Sequence, residues 1–113
     1  MREPANEMKE WLRADLRAAM KDRRPAEVTV LRALIAALDN AEAPAGPAGN
    51  APWSGEGPTE IERLILSDAD VQRAITTELS ERQHAVIELE RVGRAEHAEI
   101  VRAEALVVRR YLA

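Results

Sequence analysis

Glycine and proline are concentrated in one stretch of this chain, and that stretch divides it into two parts. Residues 43–58, APAGPAGNAPWSGEGP, contain four of the five glycines and four of the six prolines. Because glycine and proline interrupt helices, this stretch is predicted to be a flexible linker. The sequence on both sides is rich in Ala, Leu, Glu and Arg, which favour helix. The chain is therefore expected to form two helical units joined by a long linker.

The composition limits how a core can be built. The 113 residues are enough for a single domain covering residues 1–113, with a hydrophobic core of its own. Phenylalanine is absent and aromatic residues make up 3% of the chain, so the core must consist mainly of aliphatic side chains. Cysteine is also absent, which excludes disulfides, a thiolate nucleophile and cysteine-based metal sites.

Apolar residues at three-and-four spacing predict a first helix at about residues 5–21 and a second at about 25–42. Pro25 suits the first turn of the second helix, since its fixed φ matches helical backbone. The three intervening residues are too few for anything but an antiparallel hairpin.

The second part of the chain predicts another hairpin. Ser67 and Asp70 resemble a capping box, so a third helix is expected to start there. Gly93 is expected to end that helix in a left-handed conformation, with a fourth helix following at about 95–112. Residues 59–66 are compatible with a short helix or with an extended lead-in. The predicted fold is an all-α antiparallel bundle of four main helices arranged as two hairpins.

Four charged residues lie on or beside the apolar faces of these helices: Asp15, Arg32, Glu78 and Arg82. Buried charge is costly unless it is paired, so they are predicted to converge between the helices and pair with one another. The alternative interpretation is a polar ligand pocket or a catalytic carboxylate.

The charge distribution bears on nucleic-acid binding. The net charge of −4 argues against a general nucleic-acid binder. Lys21, Arg23 and Arg24 nevertheless form a small basic cluster between the first two helices. This cluster is a candidate RNA contact, and the alternative is a solvated turn.

A second apolar strip on the fourth helix, made of Ile100, Val107 and Tyr111, has no obvious partner within the domain. It is predicted to be an interface for a second copy of the chain or for another protein. The alternative is burial by residues 59–66. Trp53, alone in the linker, would either fill a gap on the bundle or anchor a partner.

No arrangement typical of catalysis or of cofactor binding is recognisable. His84 and His97 are interpreted as surface residues because no third metal ligand accompanies them. Nucleophile–base pairs and phosphate-binding glycine loops are also missing, so no cofactor and no metal is expected. No leader and no stretch of about 20 apolar residues is present, which predicts a cytoplasmic protein with no membrane partner.

Several short motifs together resemble the GatB/YqeY family of small helical proteins. They are Asp15 with Ala19-Met20-Lys21, Val30-Leu31-Arg32, Asn40, Leu66-Ser67-Asp68, the Glu78-to-Arg82 spacing, Gly93-Arg94 and Tyr111-Leu112. The resemblance covers nearly the whole chain except residues 43–62. Family members usually continue into a smaller helical domain, whereas this chain ends at Ala113, so that tail domain is expected to be absent.

The resemblance implies a relation to the tail region of the glutamyl/aspartyl-tRNA amidotransferase, in the component that helps convert Glu-tRNA or Asp-tRNA to the amide forms. That activity belongs to the carbon–nitrogen ligases that use glutamine as amide donor, and its chemistry resides in other domains. The implied function is a non-catalytic module that binds tRNA or a translation-linked protein. The alternative is a structural protein that self-associates through helix 4 or docks a partner, with no RNA role.

Overall fold

The computed structural model describes residues 2–44 and 63–113, and within these ranges the chain is helical with no strand. The helices are α1 (Pro4–Lys21), α2 (Pro25–Glu42), α3 (Asp68–Arg91) and α4 (Ala95–Arg109). The predicted all-α class is thereby confirmed. Most of the predicted linker, including Trp53, lies outside the described residues.

Helices α1, α2 and α3 begin where the local chemistry favours helix initiation. Pro4 and Pro25 occupy the first position of α1 and α2, where a missing N–H costs nothing. At the start of α3, the Asp70 backbone N–H donates to the Ser67 hydroxyl at 3.1 Å. The Ser67 backbone N–H donates to the Asp70 carboxylate at 3.0 Å, which completes the predicted capping box.

Both hairpin turns share one hydrogen-bond pattern, the Schellman motif. After α1, the backbone N–H of Arg24 donates to the carbonyl of Ala19 at 2.9 Å. After α3, the backbone N–H of Arg94 donates to the carbonyl of Leu89 at 2.8 Å. Each turn needs one residue in the left-handed conformation, and Gly93 takes this role in the second turn, as predicted.

The core lies around α2, which contacts α1, α3 and α4. The largest fully buried side chains of the core are aliphatic, as the composition requires: Leu12, Val30, Leu31, Leu34, Leu38, Ile75 and Val108. Burying one such side chain stabilises the fold by roughly 1.5–3 kcal/mol. The core therefore rests on leucine and valine packing rather than on aromatic side chains.

Of residues 59–66, which the sequence left open, residues 59–62 lie outside the described residues. Residues 63–67 form no helix, and Leu66 is buried against the bundle. Helix α4 ends at Arg109 rather than at about 112. The chain then turns, with the Tyr111 backbone N–H donating to the carbonyl of Val108 at 3.1 Å. This turn directs the Tyr111 side chain toward α1.

Candidate functional site

A groove with positive side chains lies beside the turn between α1 and α2. It has a volume of about 560 Å³ and is lined by Ala19, Met20, Arg23, Arg24, Pro25, Val28, Thr29 and Arg32. Arg23 and Arg32 are exposed, whereas Arg24 is partly buried. Lys21 is exposed on the last turn of α1 and is not a lining residue. The structure thus places Arg23 and Arg24 of the predicted basic cluster in the groove, together with Arg32.

Arg23 has a backbone conformation that L-residues seldom adopt. Its φ of 54° lies in the left-handed region, and among the described residues Arg23 is the only non-glycine residue with a positive φ. A side chain in this region costs roughly 1–2 kcal/mol relative to right-handed backbone. Such strain is concentrated at functional sites, where the surrounding structure enforces it. The arginine therefore occupies a position at which glycine would be less strained.

A carboxylate links this turn to the end of α4. Glu27 accepts a hydrogen bond from Arg24 at 2.6 Å and two from Arg110, at 3.2 and 3.3 Å. The hydrogen bond from Arg110, with that from Arg24, lowers the pKa of Glu27 despite the opposing effect of desolvation. Asp22 also accepts from Arg24, at 3.3 Å. Arg24 is therefore held in place, and Glu27 connects it to Arg110 just after α4.

The predicted inward cluster of four charges does not form. Asp15 accepts a hydrogen bond from the Tyr111 hydroxyl at 2.5 Å. Arg82 donates to the Glu78 carboxylate at 3.0 Å, and its Nε lies 3.4 Å from Glu104 Oε1 without hydrogen-bond geometry. The Glu78–Arg82 pair therefore stands apart from Asp15, and Arg32 joins neither.

The prediction that Arg32 points inward is wrong because Arg32 lies outside the buried face of α2. Burial is centred on Leu31, Leu34 and Leu38, with Val30 also buried. At 100° per residue, this face turns Arg32 toward solvent, where it lines the groove.

A buried ion pair that the sequence analysis missed joins α1 to α2. Lys9 and Glu42 are 3% and 2% exposed, and their Nζ and Oε1 atoms lie 2.6 Å apart. Lys9 also bonds Asp39 at 3.0 Å, and Arg63 bonds the other oxygen of Glu42 at 2.6 Å. Burial by itself would raise the pKa of Glu42, but the hydrogen bonds from Lys9 and Arg63 outweigh it and lower the pKa. We interpret this cluster as a structural clamp between the two helices.

The spacing of the residues contained the signal for this clamp. Lys9 follows Ala5 by four residues and precedes Leu12 by three, which places it within a helical apolar stripe. Glu42 follows Leu38 by four residues in the same way. Reading those positions as part of the stripes, despite their charge, would have identified both residues.

The predicted interface on α4 is largely core. Val107 and Tyr111 are buried within the chain, so the prediction that they need an external partner is wrong. Tyr111 packs edge-on against Trp11, with ring centroids 4.8 Å apart. Burial and the hydrogen bond to Asp15 raise the pKa of the Tyr111 hydroxyl. Ile100 remains exposed because it lies closer to the α3–α4 turn, and Trp53 lies outside the described residues.

The described helices offer neither a clustered metal site nor a membrane span. Across residues 2–44 and 63–113, no three histidine, aspartate or glutamate side chains are grouped so as to hold a metal ion. None of the helices in these ranges combines the length and apolar character that crossing a membrane requires. His84 and His97 are both exposed.

Comparison with known proteins supports the resemblance inferred from the motifs. The sequence profile of a family described as Yqey-like protein matches residues 9–113. No curated protein and no solved structure matches the chain. The profile match includes all four described helices apart from the first residues of α1. The chain therefore belongs to the YqeY-like family.

Proposed function

We propose that this chain is a non-catalytic helical module that binds RNA through the groove beside the α1–α2 turn. The observation that carries the proposal is Arg23, an exposed arginine held in a left-handed conformation at the edge of that groove. A residue with a binding role at this position accounts for both the strain and the choice of side chain.

The charges around the groove support a polyanionic ligand. Arg23, Arg24 and Arg32 line it, and Lys21 is exposed on the last turn of α1. Guanidinium groups bind phosphate in a planar, bidentate way, which makes arginine suited to RNA backbones. The overall charge of −4 is therefore compatible with RNA binding that is confined to one face.

Within RNA, we propose tRNA as the ligand, because of the relation between the YqeY-like family and the amidotransferase tail region. In this proposal the chain holds or positions tRNA, and the carbon–nitrogen ligase chemistry belongs to other proteins or domains. The groove lining fits such a role. The one hydroxyl group in the lining belongs to Thr29 and donates to the Pro25 carbonyl at 3.1 Å. No side chain in the lining could act as a general base toward it.

Binding of total tRNA across a salt series tests this function. Each phosphate contact contributes about 0.9 to the slope of log affinity against log salt. Replacing Arg23 and Arg32 together by alanine should therefore lower the slope by about 2. Arg73→Ala is the matched control, because Arg73 is an exposed arginine on α3 away from the groove. Absence of tRNA binding at low salt, or equal slopes for all three proteins, would contradict the proposal.

A second candidate function is self-association through the outer face of α4. Leu106 on α4 and Ile87 on α3 are 63% and 61% exposed, and they line a groove of about 490 Å³. Exposed apolar patches of this kind mark interaction sites. Sedimentation of the wild type beside Leu106→Glu tests it. A concentration-dependent dimer that Leu106→Glu dissociates would support this function, and a wild type that stays monomeric would exclude it.

A further inference from the structure

The lining of the groove beside the α1–α2 turn combines two kinds of side chain, and this combination specifies the kind of RNA that it fits. Ala19, Met20, Pro25 and Val28 are apolar. Arg23, Arg24 and Arg32 are positively charged. Met20 is 51% exposed, so an apolar surface is open to solvent directly beside the positive charges.

A nucleic-acid duplex would leave the apolar lining residues without a partner. Duplex RNA presents phosphates and 2′-hydroxyls to a protein, whereas its base faces are stacked inside the helix. An unpaired nucleotide instead offers both a phosphate and an apolar base face. The groove volume of about 560 Å³ lies within the range of sites that bind small molecules, and these sites combine apolar walls with a few polar groups.

We propose that the groove binds one unpaired nucleotide of an RNA loop or single strand. This inference rests on the proposed RNA-binding function and specifies its ligand. Arg23 and Arg32 each bind one of the two phosphates that flank this nucleotide, and the base packs against Met20 and Val28. Arg24 forms a fixed wall, because its guanidinium already bonds Glu27 and Asp22.

The test compares two forms of the same RNA. Fluorescence anisotropy is measured with a labelled, unstructured oligoribonucleotide and with that strand annealed into a duplex. The wild type is expected to bind the single strand more tightly. Met20→Gln, which keeps the length of the side chain, should weaken single-strand binding about fivefold, the lower end of what contact with one base contributes. Duplex binding and the salt slope should not change with this variant.

Three controls make the outcomes distinct. Val92→Gln changes another exposed apolar residue, at the α3–α4 turn and outside the groove, and should leave binding unaltered. Thermal unfolding of Met20→Gln should match the wild type, because half of the Met20 surface is already in water. Adenosine monophosphate, added as a competitor, distinguishes a nucleotide within RNA from a free nucleotide. It should displace the strand weakly, because it makes one contact where the strand makes several.

This inference would be overturned if the wild type bound single strand and duplex with equal affinity and Met20→Gln bound RNA as tightly as the wild type. If Arg23→Ala bound RNA more weakly in the same experiment, the RNA-binding function would still stand. Adenosine monophosphate that binds as tightly as the strand would also overturn the inference, and would assign the groove to a free nucleotide. A wild type that binds neither RNA form would overturn the proposed function itself, and the inference with it.

Discussion

The turns of the two hairpins have the same backbone but differ at the residue that adopts the left-handed conformation. Arg23 has a φ of 54° in the first turn, and Gly93 has a φ of 81° in the second. An added Cβ at Gly93 would meet no atom within 4 Å, so glycine is needed there for its backbone freedom and not for lack of space. The first turn has the same backbone requirement and yet carries an arginine. This difference is the basis for the proposal that the side chain of Arg23 binds a ligand.

The hairpins also differ in how a cation joins their helices. Lys9 links α1 to α2 through Asp39 and Glu42, at 3.0 and 2.6 Å. Arg82 links α3 to α4 by lying between Glu78 and Glu104, at 3.0 and 3.4 Å. The side chain of Lys9 is 4% exposed and that of Arg82 is 13% exposed. Water therefore reaches the second cluster better than the first.

The largest effect is expected from Lys9→Met, which would leave Glu42 buried with Arg63 as its remaining cation. Removing one partner of a buried pair costs on the order of 3–5 kcal/mol, and we expect about 3 because Arg63 stays. Urea unfolding measures this loss. The double variant Lys9→Met/Glu42→Leu removes both buried charges and should recover most of the stability. A loss below about 1 kcal/mol for the single variant would show that the clamp is not important for the fold.

Acidification should weaken the same clamp without any mutation. The pKa of Glu42 is lowered in the folded state, so its contribution to stability is complete above the pKa of an unfolded glutamate, about 4.3. The contribution is lost as the pH falls through the lower pKa of the folded state. The wild type should therefore lose more stability than Lys9→Met/Glu42→Leu in urea unfolding between pH 5 and pH 3 (about the range in which carboxylates protonate). Parallel losses in the two proteins would assign the acid sensitivity to other carboxylates.

Gly93→Ala should destabilise the second turn by about 1 kcal/mol, because alanine pays the cost of left-handed backbone. The side chain itself meets no atom, so steric clash contributes nothing. Thermal unfolding checks the value, and Ala95→Gly serves as a control in the first turn of α4. A neutral Gly93→Ala would remove the premise that this backbone position is strained for other residues.

Arg82→Met should have a smaller effect than Lys9→Met, about 0.5–1 kcal/mol, within the range of ion pairs that water reaches. The side chains of Glu78 and Glu104 are 19% and 18% exposed, so both acids can be hydrated when the arginine is removed. The same urea experiment measures it. A loss equal to that of Lys9→Met would mean that the two hairpins depend on their cations to the same degree.

Local rules accounted for the helices, but the inward side chains depend on how the helices are rotated in the bundle. Pro25, Ser67 and Gly93 mark boundaries through their own backbone chemistry, so these could be predicted within a few residues. Arg32 lies at the edge of an apolar stripe, where a small rotation decides between core and solvent, whereas Lys9 lies within a stripe and was missed because it is charged. Tyr111 contacts Trp11 across the bundle, and no local pattern contains that contact.

The candidate site was partly visible in the sequence. The cluster of Lys21, Arg23 and Arg24 is contiguous, so its charge could be read directly. The contribution of Arg32 depends on how α2 is rotated at this turn. The left-handed conformation of Arg23 could not be predicted either, because an arginine in the sequence does not indicate left-handed backbone as a glycine does. Comparison with the Gly93 turn supplies that signal once both backbones are known.

The most direct test of the central claim is Arg23→Gly, measured for stability and for tRNA binding in the same preparation. If the arginine is kept for binding, glycine should relieve the backbone strain and stabilise the fold by about 0.5–1 kcal/mol. It should also weaken tRNA binding and lower the salt slope by about 1. A variant that is more stable and still binds tRNA with the wild-type affinity and salt slope would contradict the account.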